Sequence, residues 1–147
     1  MKRLKLIPAM LSLILLAGCR QSVESVDICI YGGTSAGVIA AYTAAMDGKK
    51  VILVEPGRHV GGMTSGGLGY TDIGNKFVVT GLARDFYRRV GAHYGKFEQW
   101  IFEPSVAEKI FRQYIECAGV EVLYSHRLCA VKKAVSYTHL RAHETGA

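Results

Sequence analysis

Apolar residues along this chain fall into two kinds of run, short continuous ones and longer ones at helical spacing. Their alternation predicts strands separated by helices. Val26-Asp27-Ile28-Cys29-Ile30-Tyr31 has strand length and is predicted to be buried on both faces of a sheet. Gly32 to Gly37 interrupts it. Val38 to Met46 is rich in Ala, with Ile39, Tyr42, Thr43 and Met46 spaced to face that sheet. Gly48 is placed to close this helix in a left-handed conformation. Val51-Ile52-Leu53-Val54 predicts a second strand, ended by Glu55-Pro56-Gly57. Strand, glycine turn, helix and strand in this order make a βαβ unit.

Residues 60–74 are glycine-rich and without period, which predicts a loop. From Gly81 to Tyr94 the pattern is that of an amphipathic helix, with Leu82, Phe86 and Val90 on one face and Arg84, Arg88 and Arg89 elsewhere. Ser105 and Glu108 have capping-box spacing and predict the start of the next helix. Val106, Ile110, Phe111, Tyr114 and Ile115 are its buried stripe, and Gly119 ends it. Residues 120–124 and 128–131 read as further strands.

The two ends carry different signals. Lys2, Arg3 and Lys5 precede a short apolar run that closes on Leu16-Ala17-Gly18-Cys19. A basic head, a run too short to span a bilayer and small residues at a cleavage point predict an export signal over residues 1–18. Leu-Ala-Gly-Cys resembles the lipobox of bacterial lipoproteins, which implies lipidation of Cys19 and anchoring in the cell envelope. Residues 19–25 are then a tether. Val135 to Thr145 reads VSYTHLRAHET and resembles one translated frame of a transposase adapter used in sequencing libraries. Residues 135–147 are therefore expected to be an artefactual tail, and His139 and His143 within it are set aside as metal ligands. On this reading 26–134 is the N-terminal part of a larger domain.

The 147 residues carry a formal net charge of +6, and half of it belongs to the signal. No basic run interleaved with aromatics remains, so nucleic acid is not expected as a partner. Cys29, Cys117 and Cys129 lack any CxxC spacing, and buried thiols are expected.

The chemistry concentrates at Gly32-Gly33-Thr34-Ser35-Ala36-Gly37. A pyrophosphate carries two negative charges and is bound well by N–H groups at a helix start, where the helix dipole helps. Gly32 suits the tight turn out of the strand, and Gly37 lets the helix pack closely on it. Thr34 replaces the middle glycine of the dinucleotide fingerprint, and its hydroxyl can itself donate to a phosphate oxygen. Glu55 ends the next strand, where a carboxylate accepts hydrogen bonds from both ribose hydroxyls and repels a 2′-phosphate. The expected fold is α/β, a Rossmann-like FAD/NAD(P)-binding fold with an incomplete, truncated parallel sheet.

Two glycine pairs follow the acid, in His59-Val60-Gly61-Gly62-Met63-Thr64-Ser65-Gly66-Gly67. An extended cofactor needs a second bare stretch of backbone, which favours FAD over NAD. The turn, then LVEPGRHVGGMTSGGLGYTDIGN, GLARDFYRRVGAHYG and FEPSVAEKIFRQYIECAGVEVLYSHRL, resemble the FAD-dependent oxidoreductase family sometimes labelled xanthan lyase-like. The resemblance covers nearly everything from Asp27 to Val131. It implies a larger two-domain flavoprotein with FAD bound by Gly32, Gly33, Thr34, Ser35, Ala36, Gly37, Glu55, Gly61, Gly62 and Met63. It also implies a later Ala-Thr-Gly strand, a sequence this chain does not contain.

The expected activity is transfer of electrons or hydride between a small organic substrate and FAD. The alternatives are an NAD-dependent dehydrogenase and a non-redox surface lipoprotein that binds a carbohydrate or another partner. His59 is a loop residue or a flavin neighbour. Tyr70, Thr71 and Asp72 are candidates to reach flavin or substrate, and Trp100 and Phe102 are core aromatics or cleft walls. No catalytic residue is assigned, because a flavin carries the redox chemistry and the protein positions it.

Overall fold

The computed structural model describes residues 25–131. The signal, Cys19 and the adapter-like tail lie outside them.

Three parallel strands make the sheet: β1 (Ile28–Tyr31), β2 (Val51–Glu55) and β3 (Glu121–Tyr124), in the order β1-β2-β3. Ile28 pairs with Val51 and Tyr31 with Val54, while Ile52 pairs with Glu121 and Glu55 with Tyr124. The β-branched run of β2 suits its central place, and Val51, Ile52 and Leu53 are all buried. Burying a side chain such as Leu53 contributes about 1.5–3 kcal/mol. The parallel order with helical crossovers is the first half of a Rossmann-like α/β sheet.

Helix α1 (Ser35–Met46) links β1 to β2. The crossover from β2 to β3 carries a long loop, α2 (Gly81–His93) and α3 (Pro104–Ala118). Single 3₁₀ turns at Gly62–Thr64 and Lys76–Val78 punctuate that loop. Helix α1 packs on α3, with Tyr42 edge-on to Tyr114 at 5.1 Å between ring centroids. Phe86 of α2 stacks on Phe111 of α3 at 4.9 Å and meets Phe102 edge-on at 5.5 Å. The expected stripe of α3 is buried throughout, from Val106 to Ile115, as are Phe86 and Val90 of α2. Gly119 ends α3 with φ +64°, the left-handed conformation that favours glycine.

Five expectations are corrected. Strand β1 is not buried on both faces: it is an edge strand, with Ile28 and Tyr31 exposed, because β2 is its only neighbour among the described residues. Residues 128–131 form no strand. No partner strand lies beside them, and Leu128 and Val131 are exposed. In α1, Val38 and Ala41 are the fully buried positions, while Thr43 and Met46 face outward. The α1 surface that meets α3 as well as the sheet is broader than a single stripe, and Thr43 bonds back to Ile39 O at 2.9 Å. The Ser105–Glu108 capping box does not form. Pro104 already opens α3 behind Glu103, a place its missing N–H and fixed φ suit, so Ser105 lies two residues too late to cap. Finally, Cys29, Cys117 and Cys129 are exposed free thiols.

Candidate functional site

The turn between β1 and α1 is held from several sides. Gly32 takes φ +103°, and its N–H donates to Val54 O at 2.7 Å. Thr34 caps α1 in an extended conformation, its Oγ1 accepting from Gly37 N–H at 3.1 Å. A Cβ on Gly37 would lie 2.0 Å from Gly32 O, so helix and turn meet at a distance that only glycine permits. Thr34 Oγ1 is the acceptor in its capping bond, which leaves the hydroxyl proton free to be donated elsewhere. Ser35 and Ala36, at the positive end of the α1 dipole, line a mostly apolar cavity of about 320 Å³ with Thr64, Leu82, Phe86 and Tyr87.

Glu55 reaches back into this turn. Its Oε2 accepts from Gly33 N–H and its Oε1 from Gly57 N–H, both at 2.6 Å. The end of β2 is thereby tied to the turn after β1, and each carboxylate oxygen keeps a further lone pair. A Cβ on Gly33 would come within 2.9 Å of Glu55 Oε2 and 3.0 Å of Val60 Cγ1, which explains the glycine there.

The second glycine pair joins the same assembly. Gly61 N–H donates to Gly33 O at 2.7 Å, and Thr34 and Gly61 form an isolated parallel bridge. Gly61 has φ +103°, and a Cβ there would meet Phe111 Cδ2 at 2.5 Å. Gly62 lies against Thr34, whose Cα would be 3.3 Å from an added Cβ. Met63 follows on the surface. Gly32 to Gly37, Glu55, Gly61 and Gly62 are thus one connected unit at the C-terminal end of the sheet, the end at which open α/β sheets bind their ligands.

A network that the sequence did not suggest flanks it. His59 Nδ1 is 2.9 Å from Glu108 Oε2, and Arg112 binds Glu108 Oε1 through two guanidinium nitrogens. Arg112 also donates to Tyr124 OH at 3.2 Å and to Arg58 O at 3.5 Å. Burial works to raise the Glu108 pKa, but the hydrogen bonds from Arg112 and His59 outweigh it and hold the carboxyl below its ordinary value. Burial raises the Tyr124 phenol, opposed by the Arg112 charge. The partners lie 49 residues apart for His59 and Glu108, so no local spacing announces them.

The remaining candidates gather at a second place. Gly69 to Thr71 pairs with Trp100 to Phe102 through the Tyr70–Ile101 bridge, with Thr71 N–H donating to Trp100 O at 3.2 Å. Trp100 stacks on Tyr87 with centroids 3.9 Å apart and planes at 21°. Phe102 belongs to the core, and Tyr70 and Asp72 are exposed. Among the described residues no group of three or more His, Cys, Asp or Glu is placed to hold a metal ion, and no helix is long and apolar enough to cross a membrane.

Residues 27–146 match the family described as FAD dependent oxidoreductase, a span that runs into the adapter-like tail. The chain is similar to a thiamine thiazole synthase of Pyrococcus horikoshii, 34% identical over 83 residues. That similarity covers 56% of this chain and 31% of the relative, so the chain spans about a third of the curated relative's length. Among solved structures, THI4 of Thermovibrio ammonificans aligns with a TM-score of 0.46 at 18% identity, over 84% of this chain and 47% of that one. A 2-naphthoyl-CoA reductase in complex with 2-naphthoyl-CoA aligns with a TM-score of 0.42 at 12% identity, over 72% of this chain and 12% of that one.

Proposed function

The chain belongs to the FAD dependent oxidoreductase family, and from that premise we propose that its protein moves electrons or hydride between a small organic substrate and FAD. The observation that carries this reading is the Glu55 carboxylate bonded to Gly33 N–H within the phosphate-turn assembly. A dinucleotide site needs a ribose-binding acid beside a bare turn, and the bond that brings the Glu55 carboxylate to Gly33 supports that reading.

On this proposal Gly32, Gly33, Thr34, Ser35, Ala36 and Gly37 border the pyrophosphate; the N–H groups of Gly32, Gly33 and Gly37 are already engaged by Val54 O, Glu55 Oε2 and Thr34 Oγ1, and those of Ser35 and Ala36 at the helix start face it. Glu55 takes the ribose hydroxyls on its remaining lone pairs, and Gly61, Gly62 and Met63 border the cofactor beyond the phosphates. The fit is supported by the open space where a Gly32 Cβ would stand and by the unspent Thr34 hydroxyl proton. When bound, FAD supplies reversible two-electron chemistry. The chain's own part is to orient it: the α1 dipole faces the anionic phosphates, and Glu55 excludes a phosphorylated ribose by charge repulsion.

The proposal extends to location. An export signal over residues 1–18 and lipidation at Cys19 would anchor the protein to a bacterial cell-envelope membrane. Loss of palmitate label in Cys19→Ala tests the anchor, and retained label removes it.

The flavin reading is tested on the purified protein. The expected product is yellow, with a flavin spectrum that bleaches under dithionite. A colourless protein that takes up no FAD on titration overturns the reading.

A further inference from the structure

Residues 56–60 join Glu55 to the Gly61-Gly62 pair, and Arg112 of α3 is bonded to them. Its guanidinium reaches three elements at once. Nε and Nη2 donate to Glu108 Oε1 on its own helix, Nη1 donates to Tyr124 OH of β3 at 3.2 Å, and Nη2 also donates to Arg58 O at 3.5 Å. A rigid planar fork of N–H donors suits arginine to such a place, where the single ammonium of lysine would not span the partners. Both bonds to Glu108 fall on one oxygen, which leaves its Oε2 to the His59 ring, 2.9 Å away. The loop is thereby tied to α3 at two successive residues, through the Arg58 carbonyl and the His59 side chain.

These ties bear on Glu55. Its Oε1 accepts from Gly57 N–H at 2.6 Å, so the carboxylate turns with Gly57. Gly57 is fixed in its turn. Its carbonyl accepts from Ser125 N–H at 2.8 Å, and the next carbonyl along, that of Arg58, is the one Arg112 takes. Tyr124, the other distant partner of Arg112, is the register neighbour of Glu55 across β2 and β3. Burial is the main cause of the raised Tyr124 phenol, and the Glu55 charge adds to it, so each side chain lies in the field of the other. Arg112 therefore acts on the loop that follows Glu55 and on the residue paired with it.

We propose that Arg112 is a positioning residue for the adenosine ribose: acting through Arg58 and Tyr124, it holds the Glu55 carboxylate where its remaining lone pairs meet the ribose hydroxyls. In this role Arg112 rests on the flavoprotein reading above, whereas its contacts within the fold do not.

The purified protein is titrated, by quenching of flavin fluorescence, with FAD and with an analogue whose adenosine lacks the 2′- and 3′-hydroxyls. Arg112→Gln should weaken FAD about tenfold, the scale of one hydrogen bond to a charged group, and leave the analogue within about twofold. A group that merely braced the fold would weaken both ligands alike. Combined with Glu55→Ala, Arg112→Gln should cost nothing further, because the carboxylate it positions is already gone. Urea unfolding checks that each variant folds. If Arg112→Gln does not, Glu108→Gln replaces it: the guanidinium stays, the charge that fixes it is removed, and the same preference is expected and judged by the same outcomes. Unchanged FAD affinity overturns the proposal, as does equal loss of FAD and analogue, or full additivity with Glu55→Ala. Unsubstituted protein that takes up neither ligand overturns the flavin reading itself, and the role of Arg112 with it.

Discussion

Glu55 Oε2 accepts a 2.6 Å hydrogen bond from Gly33 N–H, joining the end of one strand to the turn that follows its neighbour. The acid proposed to bind ribose therefore also shapes the turn after β1. Glu55→Ala should weaken FAD binding by about 1–3 kcal/mol, the range for lost hydrogen bonds to a charged group. Flavin fluorescence titration checks it, and unchanged affinity would remove Glu55 from the site.

Gly61→Ala should destabilise the fold. Its φ of +103° strains any side chain, and the new Cβ would stand 2.5 Å from the Phe111 ring. Together these effects predict a loss of about 2–4 kcal/mol in urea unfolding. Gly74→Ala, with no positive φ and nothing within 4 Å of the added carbon, should stay within about 0.5 kcal/mol.

Tyr114 OH donates to Asp85 Oδ2 at 2.6 Å, and Arg89 Nε binds the same oxygen at 2.6 Å, clamping α2 to α3. Burial works to raise the Asp85 pKa, but the Tyr114 and Arg89 bonds outweigh it and hold the carboxyl below its ordinary 3.8. A carboxyl depressed in the folded state contributes stability above its unfolded pKa, and this is lost as pH falls through the folded value. Stability should therefore fall with acid below about pH 4, and the part due to Asp85 should vanish in Asp85→Asn. Burial and the Asp85 bond raise the Tyr114 phenol well above its ordinary value. Its contribution has the opposite sense, present below pH 10 and lost above it. Tyr114→Phe should cost about 1–2 kcal/mol at neutral pH.

Cys29, Cys117 and Cys129 should all react with a maleimide in the absence of denaturant, since each is exposed. Mass spectrometry of native and urea-treated protein decides the point. Labelling of these three that appears only in urea would contradict their exposure.

What the sequence disclosed and what it hid divide along a physical line. Glycine positions that a turn demands were legible: Gly37 and Gly119 have local reasons that spacing alone reveals. So was the α3 stripe, because a helix facing a core repeats its apolar residues with the helical period. The facing of α1 was not, because an Ala-rich helix packed on two neighbours has a weak pattern. Nor was the edge position of β1, since an apolar run does not state how many neighbours a strand has. The place of Glu55 at the end of β2 was readable from the strand pattern, but its bond to Gly33 was not. The His59–Glu108–Arg112 network depends on the crossover bringing α3 beside the loop, and Glu108 had a plausible local role in a capping box that Pro104 pre-empts.

Gly61, pressed between Phe111 and the turn after β1, means that the turn takes its shape partly from a helix some fifty residues further on. Transplanting the turn alone into another scaffold would carry the letters without the geometry. A graft that succeeds would have to move residues 32–37, 55–62 and the Phe111 face of α3 together, as one cassette. By the same logic, divergence at residue 111 should be answered by divergence at residue 61, although neither is near the other in the chain.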